Sequence, residues 1–253
     1  MRSVRPTKPL RRSGFSLLEL LIIVAVIGVL LAFLLPVLSN ARRAGYTAVC
    51  ANNLRQLSVP WLMYVQDHND RLPRHAILPE WKYGGLDYVG PQRAAIFSTA
   101  RPLNQYIDQQ GGDGVDAASA LFRCPADLGV FQRGTASSRR AGGSVLPNGS
   151  CFAEYGTSYR ANEQLLDASA AGIDDQRRPL ALHEITATHS RVLLMGDPAW
   201  YFRAGNTADA VANLEASWHG APDAGNMLAV DGSVRFTDFA TRLGETFDLR
   251  PRP

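Results

Sequence analysis

Apolar and polar positions are distributed unevenly along the chain. From Phe15 to Leu38 almost every residue is apolar; the polar exceptions are Ser16 and Glu19. At about 1.5 Å per helical residue the run reaches about 36 Å, enough for a hydrocarbon core roughly 30 Å thick. It predicts a transmembrane helix over 15–38. Beyond it the pattern becomes periodic. Ala51, Leu54, Leu57, Trp61 and Val65 recur at three- and four-residue steps, which predicts an amphipathic helix with one covered face. The two stretches read as one helix that leaves the membrane and continues over 39–70. Pro36 and Pro60 are expected to kink or restart it, because each removes a backbone donor. The polar cluster Asp67–His68–Asn69–Asp70, with Pro73 beyond it, should end it.

Residues from about 77 to 150 are rich in Gly, Pro, Ser and Ala and predict loops with short helices, one near 101–109. The apolar-poor stretch 133–148 is expected to be mobile. Strand signals come late. Arg191–Met195 reads as a buried strand ended by Gly196, Asp197 and Pro198, and Met227–Val230 and Ser233–Thr237 flank Asp231–Gly232. An Asp-Gly pair between apolar runs signals a hairpin. The expected fold is α+β: a long N-terminal helix packed on a small antiparallel sheet domain with loop-rich insertions, spanning 71–253.

Composition is ordinary for one globular domain with one apolar span: 253 residues, 46 % hydrophobic and 19 % charged, with a net charge of +3. Charge placement says more. Arg2, Arg5, Lys8, Arg11 and Arg12 precede the apolar run with no acid among them, and Arg42–Arg43 follow it. This suits a membrane boundary better than a nucleic-acid footprint, so no nucleic-acid partner is expected. The basic leader at 1–14 puts the N-terminus in the cytoplasm and the domain outside the inner membrane, in a single pass with membrane lipid as a partner.

Glu19 is the anomaly. A carboxylate within a membrane helix costs on the order of 2.5–3.5 kcal/mol, so it needs partial snorkelling or a cation at its own depth. Cleavage between Gly14 and Phe15 would supply that cation as the new α-amino group of Phe15. Helix geometry makes the pairing poor within one chain and good between staggered neighbours.

The stretch RRSGFSLLELLIIVAVIGVLLAFLLP resembles the N-terminus of type IV pilins and type II secretion pseudopilins. The resemblance implies a pilin-like fold, cleavage after Gly14 by a prepilin peptidase that then N-methylates Phe15, and assembly dependent on Glu19. It also implies other pilin or pseudopilin subunits, an assembly platform and secretion machinery as partners. A second resemblance is to a Planctomycete-type group of prepilin-type proteins that end in a His, nine residues, then Asp-Gly. Here His219 and Asp231–Gly232 are separated by eleven residues. Cys50-x-Asn52-Asn53-Leu54-Arg55-Gln56-Leu57, Arg123–Asp127 and Ser158–Asn162 also match this group.

The candidate chemistry is sparse. Cys50, Cys124 and Cys151 contain no zinc-type pair spacing; outside the cytoplasm one disulfide and one leftover thiol are expected. Cys124 with Cys151 closes the shorter loop, and Cys50 is the alternative partner. Asp67, Asn69 and Asp70 offer oxygens of the kind calcium takes, without the full calcium-loop pattern. His219, Asp231 and Asp197 are candidates to converge near the strand ends, with His219 and Asp231 as weak metal ligands. Against that, Asp231 suits a tight turn, and a histidine can simply fix a hairpin. No G-x-S-x-G, H-E-x-x-H or phosphate loop is present, so no enzyme activity is expected. The expected function is a structural filament subunit. The alternative is a membrane-anchored extracytoplasmic binding module, for carbohydrate for instance, using aromatics such as Trp81 and Trp200.

Overall fold

The computed structural model describes residues 16–73, 79–86, 101–108, 120–132, 144–146, 148–166, 178–202, 214–216, 218–221, 223–239 and 247–248. The leader, Gly14 and Phe15 lie outside the described residues, as does most of 133–148. The chain divides into two units, 1–42 and 43–253.

One helix, α1 (Leu17–Asp67), runs for 51 residues. Its first half has no buried face: every residue from Leu17 to Leu38 is exposed. Helical backbone in an apolar medium pairs all its own polar groups, so this half is long and apolar enough to cross a membrane. The second half buries Cys50, Asn53, Leu54, Leu57, Ser58, Pro60, Trp61 and Val65, the face the apolar periodicity predicts. The helix continues through Pro36 and Pro60 without a break in its assignment. The missing Pro60 N–H would leave the Gln56 carbonyl without its helical partner, and Gln56 is exposed, where water can satisfy it. The helix ends at Asp67, where Asn69 and Asp70 adopt positive φ (52° and 62°), a conformation Asn and Asp tolerate better than most residues.

The 43–253 unit is α+β with a pilin-like plan. Short helices α2 (Pro79–Lys82), α3 (Asn104–Asp108), α4 (Cys151–Tyr155) and α5 (Glu163–Leu166) sit among loops. Strand β1 (Phe131–Gln132) pairs with β4 (Leu214–Glu215). The main sheet is antiparallel with the order β2 (Arg160–Ala161), β3 (Leu193–Gly196), β5 (Ala224–Ala229), β6 (Val234–Asp238).

Both faces of the sheet are covered. Leu228 and Val230 join the main core with Leu54, Leu57 and Trp61 of α1, while Met227 and Ala229 join a smaller core with Trp200, Phe239 and Phe247. This is the period-two alternation of a strand. In β3 the alternation breaks where the register shifts between Leu193 and Met195, and Leu194 and Met195 both enter the main core. The β5–β6 hairpin closes with Gly232 N–H donating to the Ala229 carbonyl and Ala229 N–H to the Ser233 carbonyl. Of the Asp-Gly pair only Gly232 has positive φ (85°). The turn is therefore a glycine-bulge type rather than the two-residue type the dipeptide favours.

Candidate functional site

The helix start has its own chemistry. Ser16 N–H donates to Glu19 Oε2 (2.8 Å), and Glu19 N–H donates to Ser16 Oγ (3.2 Å). This is a reciprocal capping box, which satisfies donors that a helix N-terminus otherwise leaves unpaired. Glu19 thus has a local role that the burial-cost reasoning missed. The Ser-x-x-Glu spacing carried the signal.

In the 43–253 unit a polar cluster joins α1 to the sheet. His219 Nε2 lies 3.0 Å from Asp197 Oδ2, and their side chains are 0 % and 1 % exposed. On the other side of the ring, His219 Nδ1 lies 3.1 Å from Thr47 Oγ1 on α1. Asp197 Oδ2 also accepts from Asn226 N–H (2.6 Å), and Asn226 Nδ2 donates to the Thr47 carbonyl (3.3 Å). Gly225 permits this approach: a Cβ there would lie 2.7 Å from Asp197 Cβ. An open cleft of about 590 Å³ leads to the cluster, lined by Arg43, Thr47, Ala48, His219, Asn226 and Phe236 among others.

The disulfide adjoins this cluster. Cys50 is bonded to Cys124, and Cys151 is a buried free thiol. Of the two pairings left open by the sequence, the bond is the one to Cys50 and not the shorter loop to Cys151. Cys50 stands one helical step before Leu54 on the buried face of α1, directly against the 122–127 turn, with a Cα–Cα distance of 5.1 Å. Loop length did not reveal that proximity. Burial raises the Cys151 thiol well above its usual pKa, so it stays protonated and unreactive. Cys124 Sγ lies 3.8 Å from His219 Nε2.

Three of the sequence segments that match the second resemblance meet here. Asn53 Nδ2 donates to the Arg123 carbonyl (3.0 Å), Cys124 N–H to Ser158 Oγ (3.0 Å), and Ser158 Oγ to Asp127 Oδ2 (2.7 Å). Asp127 also accepts from Cys151, Phe152 and Gly129 N–H. Burial pushes its carboxyl above the usual range, and these four donors pull against that shift.

Asp231 stands elsewhere in role. It is exposed at the hairpin turn and accepts from Ser233 N–H (2.9 Å) and Oγ (2.7 Å). Burial acts to raise its carboxyl, but the Ser233 hydrogen bonds together with the charge of Arg235 outweigh this and hold it below the usual range. His219 therefore keeps company with Asp197, Thr47 and Asn226, two of which sequence reasoning missed. In the candidate calcium loop, Asp67 Oδ2 accepts from Tyr106 OH (2.9 Å) and Asp70 Oδ2 faces His183 Nδ1 (3.3 Å). Trp81 stacks on Tyr155 with centroids 4.3 Å apart, and Trp200 lies in the smaller core. Both indoles are core, so neither offers the exposed platform a carbohydrate-binding face would use.

Residues 9–35 match the family described as the prokaryotic N-terminal methylation motif. The chain carries a prepilin-type N-terminus. The match covers the end of the basic leader from residue 9, the Gly14–Phe15 junction, Glu19 and most of the exposed apolar half of α1. No curated protein and no solved structure matches the chain. A prepilin motif implies processing by a prepilin peptidase and assembly with other pilin-type subunits. Proteins with this motif are structural subunits, and the one helix among the described residues that is long and apolar enough to cross a membrane is consistent with membrane anchoring.

Proposed function

We propose that this prepilin is a pilin-like or pseudopilin structural subunit of a type II secretion or type IV pilus-like filament. The peptidase cuts after Gly14 and methylates the Phe15 amine. The helix over 15–38 anchors the chain in the inner membrane, and 39–70 with the 71–253 domain lies on the outer side. The carrying observation is the junction of the methylation motif at 9–35 with one helix, Leu17–Asp67, exposed and apolar in its first half and packed on a domain in its second. Such a helix finds partners in lipid before assembly and in neighbouring helices afterwards. N-methylation keeps the amine cationic. It can then neutralise a neighbour's Glu19 in a medium where an unpaired carboxylate is costly. The subunit works by packing, with no chemical step of its own. The His219 and Asp231–Gly232 segments serve the fold of the domain, His219 at the α1–sheet junction and Asp231–Gly232 at the hairpin turn.

The capping box makes the test sharper. Glu19→Gln retains an N3 acceptor for the helix start but removes the charge, whereas Glu19→Ala removes both. Electron microscopy of overexpressing cells should show filaments with the wild type and none with either variant, while both variants still fractionate with membranes. Filaments formed by Glu19→Gln would show that Glu19 acts as a cap and that the amine–carboxylate pairing is wrong.

A further inference from the structure

Two sulfurs and a ring nitrogen meet where α1, the 122–127 turn and the His219 loop pack together. Cys50 Sγ, Cys124 Sγ and a ring nitrogen of His219 lie within 4.8 Å of one another, and all three residues are buried. The separation of Cys124 Sγ from His219 Nε2 is 3.8 Å. With zinc–sulfur bonds of about 2.3 Å and zinc–nitrogen bonds of about 2.0–2.1 Å, tetrahedral ligands stand at roughly the Cys124–His219 spacing; the two sulfurs, 2.07 Å apart in the disulfide, would separate to a similar spacing on reduction. A fourth oxygen donor is at hand, since Asp197 Oδ2 is 3.0 Å from the same Nε2. The other carboxylate oxygen, Asp197 Oδ1, is buried without a hydrogen-bond partner among the described residues. A buried orphan of this kind calls for a ligand. Thiolate, imidazole and carboxylate together make a set suited to zinc or cobalt rather than to calcium or magnesium.

We propose that the Cys50–Cys124 pair is a two-state centre: a disulfide when oxidised, and a tetrahedral site for a zinc-class divalent cation when reduced, completed by His219 with Asp197 beside it. The exchange balances. A dithiol reductant gives two electrons and two protons to the Cys50–Cys124 bond and leaves as its own disulfide, so two thiols form. The cation then displaces both thiol protons and takes His219 as a neutral imidazole through Nε2, with the ring proton on Nδ1 facing Thr47 Oγ1. Reoxidation releases the cation and passes two electrons to an acceptor disulfide. The cleft of about 590 Å³ opens onto His219 and provides an approach to one of the ligands. Either state ties α1 to the 122–127 turn, so the domain has a cross-link before and after oxidation. A chain made in a reducing compartment and destined for an oxidising one passes through both conditions.

The test uses the full chain in detergent, reduced with a phosphine, stripped with chelator and titrated with Co²⁺ or Zn²⁺. Reduced wild type should bind one equivalent of Co²⁺ with a sulfur-to-cobalt charge-transfer band, and the oxidised protein should bind none. Zn²⁺ should protect Cys50 and Cys124, but not Cys151, from alkylation in the mass-mapped protein under partly unfolding conditions. His219→Gln, checked for a native near-ultraviolet spectrum, should weaken binding by about tenfold or more, and Cys151→Ser should bind as wild type. The proposal is overturned if reduced wild type takes up no more Co²⁺ than the oxidised protein. Uptake undiminished in His219→Gln, or lost in Cys151→Ser, would also overturn it, the latter by assigning the thiolate to the wrong cysteine.

Discussion

At Glu184 two guanidinium nitrogens of Arg178 donate to the two carboxylate oxygens, each at 2.8 Å, and Ala181 N–H donates at 2.7 Å. The Arg178 hydrogen bonds, over a smaller opposing effect of burial, bring the carboxyl down to about 2 from the ordinary 4.5. The folded pKa lies below the unfolded one. Glu184 therefore contributes stability in full above about 4.5, and that contribution disappears as pH falls towards 2. Urea titrations at several pH values should show that Glu184→Gln lowers stability at pH 7 and flattens this part of the acid decline; an equal decline in both proteins would contradict it. Gly225→Ala should cost about 1–3 kcal/mol, because its methyl would meet the Asp197 side chain. Gly45→Ala, in α1 with open space around it, should stabilise by up to about 1 kcal/mol. Thermal unfolding of the two variants in opposite directions checks both. Asp231 as a turn residue was legible in the sequence because Asp-Gly is a local signal. The choice of Cys50 as the partner of Cys124, and Thr47 and Asn226 as neighbours of His219, were not, because they depend on where α1 meets residues far along the chain. Only Cys50's place four residues before Leu54 hinted at its inward direction.

Helix α1 and the β5–β6 hairpin were legible as elements because each carries a long enough period to read: the continuous apolar run, the three- and four-residue steps, and alternation around a turn. Strands β1, β2 and β4 are two residues each, too short to show any period, and β3 hides its register shift in a uniformly apolar run. The expected restart at the prolines does not occur, and at Pro60 there is a physical reason: the lost hydrogen bond falls on the exposed Gln56 carbonyl, which water can satisfy. The two sides of the second half of α1 should respond differently. Leu57 is fully buried and Leu62 is 41 % exposed. Leu57→Ala should cost about 2–5 kcal/mol, and Leu62→Ala should stay within about 0.5 kcal/mol, measured by denaturant midpoint in the same background. Similar losses at both positions would mean that the covered face is misassigned.

For the whole molecule, a membrane-type helix and a separately packed domain share one polypeptide. In the domain, the disulfide spans a sequence separation of 74 residues, and reducing it in the absence of divalent metal should cost about 2–5 kcal/mol. The prepilin character rests on the N-terminal motif, and the filament role depends on what the peptidase does there. The most direct measurement is the intact mass and N-terminal peptide of the chain purified from membranes of cells expressing a prepilin peptidase. The account predicts a chain beginning at Phe15 and carrying one methyl group on its amine. A chain still beginning at Met1 or Arg2 under those conditions would contradict it.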